Sequence, residues 1–379
     1  FLFMTTQYDY IIIGSGCAGL SLAYHMSQNE SLCKKRVLLL DNAAKTANDK
    51  TWCFWAKEKQ PYQSAQKVSW NKLEFKADDL RIREQLSEYH YYHISSLDFY
   101  QEVLEHLKQF ENFEVVQEAV SELVQRGNHI EVSTQNNVYK ANFAFNSVVG
   151  LLKDKPNKAG LKQHFYGKKI KTEDPKFKDG HVKLMDFSMP NKQTVQFGYL
   201  LPFSDHEALV EYTEFSPQIH SDQEYEALFK GYITGLNLGK YETIESEKGQ
   251  IPMSNFKFPR YSSSRILNMG TSGGFTKPTT GYTFKNIQDD VATIVSSLAE
   301  NKPFNRPHAH SRFRFYDRLL LGIIKDEPHK VKVIMQRLFK NNSMERILTF
   351  LDEKTSLAEE AKIFMRLPWA PFLKQLFLK

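Results

Sequence analysis

Six consecutive residues, Gly14-Ser15-Gly16-Cys17-Ala18-Gly19, satisfy the pattern G-x-G-x-x-G, and Asp41 stands 22 residues beyond the last of them. Residues of these types at this spacing suit the binding of a dinucleotide. Gly14 allows a tight turn, Gly16 lets the main chain approach a pyrophosphate, and Gly19 lets a helix pack closely on a strand. The N–H groups of Ser15, Cys17 and Ala18, at a helix start, would face the phosphates with the positive end of the helix dipole. Asp41 would accept hydrogen bonds from the adenosine ribose hydroxyls. An acid there favours an unphosphorylated ribose, hence FAD or NAD rather than NADP. A second cluster, Gly270, Gly273 and Gly274, precedes the segment PTTGYTF (278–284) and a helical stretch. Its N–H groups could hold a flavin ring or stabilise negative charge upon it; the competing reading is an ordinary loop whose glycines serve turns.

The hexapeptide alone is a weak signal, and its setting gives it weight. Residues 8–14 (YDYIIIG) form an apolar run of the kind that makes a buried parallel strand. Leu20, Leu22, Ala23 and Met26 then recur at helical spacing, and residues 36–41 (RVLLLD) form a second buried strand closed by the acid. Strand, glycine turn, helix, strand and terminal Asp complete one βαβ unit. Further along, 96–110 reads as an amphipathic helix, with short strands near 113–117, 129–134 and 137–144. Residues 180–215 read as antiparallel sheet, 286–299 as a helix, and the last 50 residues as mostly helical. Ser356 with Glu359 is a capping box.

Composition narrows the classes. The 50 basic and 44 acidic residues leave a net charge of +6, and no basic cluster interleaved with stacking aromatics suggests nucleic-acid binding. The mild excess suits contact with an anionic membrane surface. Cys17, Cys33 and Cys53 share no metal or disulfide spacing, so no metal site is expected and a reducing cytoplasm is the expected setting. No signal peptide is expected. No apolar run is long enough for a transmembrane helix.

Several later segments resemble the lycopene cyclase family, of the lycopene β-cyclase type. They are NDKTWCFW (48–55), QHFYGKKI (163–170), MDF (185–187), VQFGYLLPF (195–203), LVEYT (209–213) and GQIPM (249–253). MGTSGGFTKPTTGYTF (269–284), FRFYDRLLL (313–321) and MRLPWAPF (365–372) complete the series. The resemblance implies an α/β fold: a Rossmann-like FAD-binding domain of the hydroxylase-type flavoproteins, an inserted antiparallel β substrate domain and a helical C-terminus. The expected division is a discontinuous FAD domain over 4–155 and 256–310, a substrate domain over 156–255 and a helical region over 311–379.

The implied activity is cyclisation of lycopene end groups to β-ionone rings, with FAD reduced by NAD(P)H and no net redox change. Glu211 in LVEYT is implied as the acid–base residue. The family usually has a second acid immediately after it, where this chain has Tyr212. Gly270-Thr271 stands where related hydroxylases have Gly-Asp. The chemistry needs a carboxyl protonated at neutral pH, against an ordinary Glu pKa of about 4.3. Burial in an apolar strand would raise it. A reduced flavin anion near the carbocation would contribute about 4 kcal/mol at 4 Å and an effective dielectric of 20, or roughly a thousandfold in rate. Aromatic faces add cation–π attraction.

Lycopene and membrane lipid are the expected partners, with the protein peripheral on the inner face of the membrane. Phe364–Leu378 presents Phe364, Leu367, Trp369, Phe372, Leu373, Leu376 and Phe377 among Arg366, Lys374 and the final Lys379. That pattern fits an interfacial segment or a terminal helix packed on the core. The rival functions are an FAD-dependent isoprenoid reductase or hydroxylase of the same superfamily, and a non-catalytic carotenoid-binding flavoprotein.

Overall fold

A computed structural model describes residues 7–157, 159–189, 193–304 and 311–377. Leu378 and Lys379 of the proposed interfacial segment lie outside the described residues. The chain opens with β1 (Gln7–Ile13), α1 (Cys17–Gln28) and β2 (Val37–Asp41). Next come β3 (Thr51–Ala56), β4 (Val68–Trp70), β5 (Lys72–Ala77), β6 (Leu80–Gln85), β7 (His90–Ser95) and α2 (Ser96–Leu107). β8 (Phe113–Gln117), β9 (Val120–Arg126), β10 (His129–Thr134) and β11 (Val138–Asn146) follow. The middle of the chain forms β12 (Lys162–Thr172), β13 (Val182–Asp186), β14 (Val195–Pro202), β15 (Glu207–Ser216), α3 (Asp222–Gly235) and β16 (Tyr241–Pro252). β17 (Tyr261–Ser263), β18 (Ile266–Asn268) and α4 (Phe284–Ala299) precede α5 (Ser311–Asp326) and α6 (Pro328–Asn341). The described chain finishes with α7 (Met344–Leu351), α8 (Leu357–Phe364) and α9 (Trp369–Phe377).

The first sheet has the order β17-β18-β11-β1-β2-β8, with β10 and then β9 beside β11. β1 pairs in parallel with both β11 and β2, and β11 pairs in parallel with β18. Such strands are covered on both faces, which is why YDYIIIG lacks alternation. Ile12 packs with α1 and α4, while Ile11 and Ile13 pack on the opposite face against Leu38, Leu40, Ile130 and Val132. The chain leaves β1, β11 and β18 at their carboxyl ends, side by side. In open α/β sheets that edge is where ligands bind.

The second sheet has the order β16-β12-β15-β14-β13-β5-β6. Its pairings are antiparallel except for β13 with β5. Strands β5 and β6 come from residues 72–85, within the first segment of the chain. Alternation splits β15 cleanly between two faces. Ala208, Val210 and Tyr212 pack under α3 with Tyr225, Phe229 and Tyr232, whereas Leu209 and Phe215 join the core built with α5 to α7. A third, three-stranded sheet, β3-β7-β4, bridges the two larger ones. Its Trp52 and Phe54 pack toward α4, with Phe54 stacked on Phe284 at 4.6 Å, and its Cys53 and Trp55 face the second sheet.

The C-terminal helices form a layer over the second sheet, and the Ser356–Glu359 capping box is present at the start of α8. Among the described residues no helix is long and apolar enough to cross a membrane.

Packing of α1 on β1 depends on one glycine. A Cβ at Gly19 would lie 1.9 Å from the Gly14 carbonyl oxygen, which is main chain and cannot yield. Gly19→Ala is therefore expected to cost about 1–3 kcal/mol of stability, read as a lower urea midpoint. An unchanged midpoint would contradict this account of the contact.

Candidate active site

Gly14 has φ +92°, a conformation reserved largely for glycine, and ends β1 with its N–H bonded to Leu40 O at 2.8 Å. A Cβ on Gly16 would meet nothing within 4 Å, and the α1 N-terminus has no side-chain cap. The first N–H groups of α1 thus open onto space rather than onto protein, as an anion cradle requires. Asp41, at the end of β2, accepts from Ser15 N–H at 2.6 Å and from Ala43 N–H at 2.9 Å, and pairs with Lys45 at 3.2 Å. Cys17 and Ala18 are buried in α1, Cys17 beside Gln288 of α4.

The late glycine cluster meets the first one. A Cβ on Gly270 (φ +57°) would lie 2.7 Å from Ala18 Cβ, so the two loops are in contact. The Asn146 side chain donates to Asn268 Oδ1 at 3.0 Å, and Ser272 Oγ donates to Asn146 O at 2.5 Å, tying β11, β18 and the loop together. Gly273 and Gly274 close successive turns onto Gly270 O and Thr271 O, and after the 278–284 segment α4 begins at Phe284, close to the expected helix over 286–299. The segment between is clamped from the C-terminal layer: Lys277 Nζ reaches Glu353 at 3.0 Å and Asp317 at 3.2 Å, and Thr279 donates to Asp317 at 2.7 Å. Burial alone would lower the Lys277 pKa, but the two carboxylates outweigh it and hold the ammonium charged.

Glu211 lies on the face of β15 that looks away from α3, and the residue is 8% exposed. Its register partners are Tyr199 on β14 and Gly167 on β12. The Tyr91 hydroxyl bonds Tyr199 at 2.8 Å and Tyr282 at 2.9 Å, and Trp55 stands edge-on to the Tyr282 ring at 4.5 Å. Cys53 packs against the same core as Tyr199 and Tyr282. Burial raises the pKa of Tyr91, Tyr199, Tyr282 and Cys53 well out of the physiological range, so all four are neutral. The Glu211 carboxyl is pushed far above the ordinary carboxylate range, first by burial and then by the carboxyl of Glu247 on β16.

Three buried polar atoms in this region have no protein partner: Gln163 Oε1, Thr280 Oγ1 and Glu247 Oε1. A Cβ on Gly281 would lie 3.1 Å from Gln163 Oε1 and 2.9 Å from Ile251 Cδ1, so the 278–284 segment adjoins the second sheet there. Orphaned polar atoms between a glycine loop and an acid-bearing sheet fit a site completed by bound groups.

Position 212, where a second acid would follow Glu211, faces the other way. Tyr212 is fully buried beneath α3 and its hydroxyl bonds Glu214. His164, Glu214 and His220 also sit on that face, with ligand atoms within 4.8 Å of one another. Each has protein partners: His164 Nε2 meets Ser216 Oγ at 3.0 Å and its Nδ1 meets Tyr225 OH at 2.7 Å, while His220 bonds Glu214 at 2.9 Å. We read them as the polar seam joining α3 to the sheet.

Sequence reasoning singles out Glu211 but misses Glu247, Tyr91, Tyr199 and Tyr282. The available signals were slight: Tyr199 and Tyr282 fall inside distinctive segments, and Glu247 stands two residues before GQIPM.

The architecture is that of FAD-dependent flavoproteins of the monooxygenase and halogenase type. Solved structures with this fold include the halogenase PltM in complex with phloroglucinol and FAD (15% identity, 97% of this chain and 86% of that one, TM-score 0.59). Others are a flavoprotein/dehydrogenase from Cytophaga hutchinsonii (14%, 95% and 99%, TM-score 0.61) and a geranylgeranyl bacteriochlorophyll reductase-like protein from Thermoplasma acidophilum (12%, 98% and 96%, TM-score 0.59). The chain belongs to the lycopene cyclase family, whose model, described as lycopene cyclase protein, matches residues 9–377. A comparison with curated proteins gives no match.

A carboxyl whose pKa is raised on folding holds its proton more tightly in the native state, so stability is lost as pH climbs from the unfolded value of about 4.3 through the native one. Glu211→Gln, a neutral isostere, escapes that loss. Urea unfolding between about pH 4.5 and 8.5 should show the variant gaining on the wild type as pH rises. Parallel curves would mean that Glu211 ionises normally in the folded protein.

Proposed function

We propose that the protein is a lycopene cyclase that closes the linear end groups of lycopene into β-ionone rings by acid–base catalysis, with Glu211 as the acid. The observation that supports this most is a carboxyl held out of water, kept protonated by burial, and ringed by neutral hydroxyls and aromatic faces beside the late glycine loop. Alkene protonation needs a proton in the site at neutral pH, which an ordinary glutamate does not keep. Once the proton has moved, the Glu211 carboxylate and the π faces of Tyr91, Tyr199, Tyr282 and Trp55 are the groups able to stabilise a carbocation. Loss of a ring proton to Glu211 restores the acid, so the chain's own residues end the cycle as they began it.

FAD fits the residues around the two loops. The open N-terminus of α1 and Gly16 suit its pyrophosphate, Ser15 and Asp41 its ribose side, and the Gly270–Gly274 turns with Thr280 its ring end. When bound and reduced by NAD(P)H, the flavin supplies negative charge for a neighbouring cation. The chain's contribution is to hold it, to keep water from the acid, and to return the proton.

Lycopene is a lipid-borne hydrocarbon, so the site needs access to a bilayer. Phe364, Leu367 and Phe372 turn inward to the core, while Met365, Trp369, Leu373, Leu376 and Phe377 remain exposed, with Trp369 at 55% and Phe377 at 84%. Exposed apolar residues beside Lys362, Arg366 and Lys374 suit an interfacial contact with anionic lipid, at the inner face of a membrane.

Expression in a lycopene-accumulating bacterial host tests the reaction. The expected product is cyclic and isomeric with lycopene, and Glu211→Gln should lower conversion about a hundredfold or more at equal flavin content. A product heavier by hydrogen would indicate a reductase, one heavier by oxygen a hydroxylase, and bound unaltered pigment a carrier; each contradicts the proposal. Membrane contact is tested separately with phosphatidylglycerol vesicles. A Trp369→Ser, Phe377→Ser double variant should partition about tenfold or more weakly, and unchanged partition would remove α9 from the interface.

A further inference from the structure

Gly167 occupies a particular position in the second sheet. It is the register partner of Glu211 on one side and of Glu247 on the other. Strands β15 and β16 flank β12, so their main chains are separated by roughly 9–10 Å, two inter-strand spacings. Acids at such a distance would ordinarily be screened by the side chain of the strand between them. Here that strand has none. A Cβ at Gly167 would fall 2.7 Å from Glu211 Cγ and 3.4 Å from Glu211 Oε1, so the Glu211 side chain lies across the gap. With no side chain between them, the two carboxyls face each other over the glycine, near enough for the charge of Glu247 to raise the Glu211 pKa.

The partners of Glu247 fit a pair that shares a proton. Its Oε2 accepts from Thr51 Oγ1 at 2.7 Å, while its Oε1 is buried with no donor. Two ionised carboxyls side by side repel and would leave that oxygen unsatisfied. One proton between them relieves the repulsion and provides the missing donor. Thr51 comes from β3, outside the second sheet, and fixes the Glu247 carboxyl from the cofactor-domain side. The charged and titratable groups facing the pair are few: Cys53 and Tyr282 are neutral, and no Lys, Arg or His of the described residues is paired with either acid.

We propose that Glu247 is the partner of Glu211 in a carboxyl dyad across Gly167, a positioning residue that keeps one proton in the site and recovers it after ring closure. This rests on the cyclase reading of Glu211. The resting pair holds one proton and one negative charge. Glu211 gives its proton to a terminal double bond, whose electron pair forms the new C–H bond and leaves a carbocation. The cation closes the ring by taking the electron pair of a neighbouring double bond. A proton lost from a ring carbon then returns to the pair as its C–H electrons form the final double bond. No electron enters or leaves. Between the two transfers the pair is a dianion facing a cation, and the repulsion within it favours recapture of the proton. The second acid of this chain is thus supplied by the neighbouring edge strand rather than by position 212, which faces α3.

The test compares Glu247→Gln, Gly167→Ala and Glu211→Gln in the flavin-loaded protein, each checked by flavin absorbance and thermal melting. Cyclisation is followed against pH in lycopene-containing vesicles. Protonated carboxyl is followed independently by infrared difference spectra against Glu211→Gln. Loss of the like charge in Glu247→Gln should lower the Glu211 pKa, moving the alkaline limb of the activity profile, and the titration of the infrared band, down by about one pH unit or more. Gly167→Ala, which wedges the pair apart, should move both in the same direction. A folded Glu247→Gln with the wild-type limb and titration overturns the dyad while leaving Glu211 as the acid. A fully active Glu211→Gln overturns the cyclase mechanism itself.

Discussion

A carboxyl group kept from water is the constraint around which the molecule is arranged. Taking an ionised glutamate into an apolar sheet is costly enough that the group takes up a proton instead. Glu211 meets that condition on a strand where Leu209 and Phe215, on the same face, are core residues and Thr213 between Glu211 and Phe215 is buried as well. Water is kept away by the aromatic side chains of β3, β7 and β14 and by Tyr282 from the late loop. What would destabilise most sheets here favours a protonated carboxyl.

Holding that arrangement takes both large sheets. The parallel sheet ends in two glycine loops that touch at Gly270 and Ala18, and the α1 and α4 helices lock them through the Gln288 to Ser21 bond at 2.9 Å. The second sheet brings the acid, and the three-stranded sheet joins the two through β3, one face of which meets α4 while the other meets Tyr282. The helical C-terminus does more than cover apolar surface. Asp317 and Glu353 fasten Lys277, and Asp352 pairs with Lys285, so the 277–285 stretch is positioned by residues distant in sequence.

The first strand–turn–helix–strand unit was legible because its rules are local. Strand, turn, helix and closing acid fall within 41 residues, and β1, α1 and β2 form where the pattern puts them. The capping box at Ser356 and the helix over 286–299 were legible for the same reason. An equal signal, Ser221 with Glu224 ahead of Tyr225, Phe229, Tyr232 and Ile233, marks α3. Strand β16 is harder. YETIESEKGQIP is mostly polar because it lies at a sheet edge, where charge guards against further pairing, and its few apolar residues do not alternate. The meeting of Glu211 with Glu247, and of Tyr91, Tyr199 and Tyr282, depends on strand order and register, which no short window of sequence contains. Glu211 itself was reached through family resemblance; its burial needed the fold.

The central claim is that Glu211 is protonated in the folded protein at neutral pH. Infrared spectroscopy of the wild type and Glu211→Gln, in water and in deuterium oxide, addresses it without reference to turnover. The account predicts a protonated-carboxyl stretch in the wild type that shifts in deuterium oxide and is missing from the variant. A difference spectrum showing only ionised carboxylate at that position would contradict it.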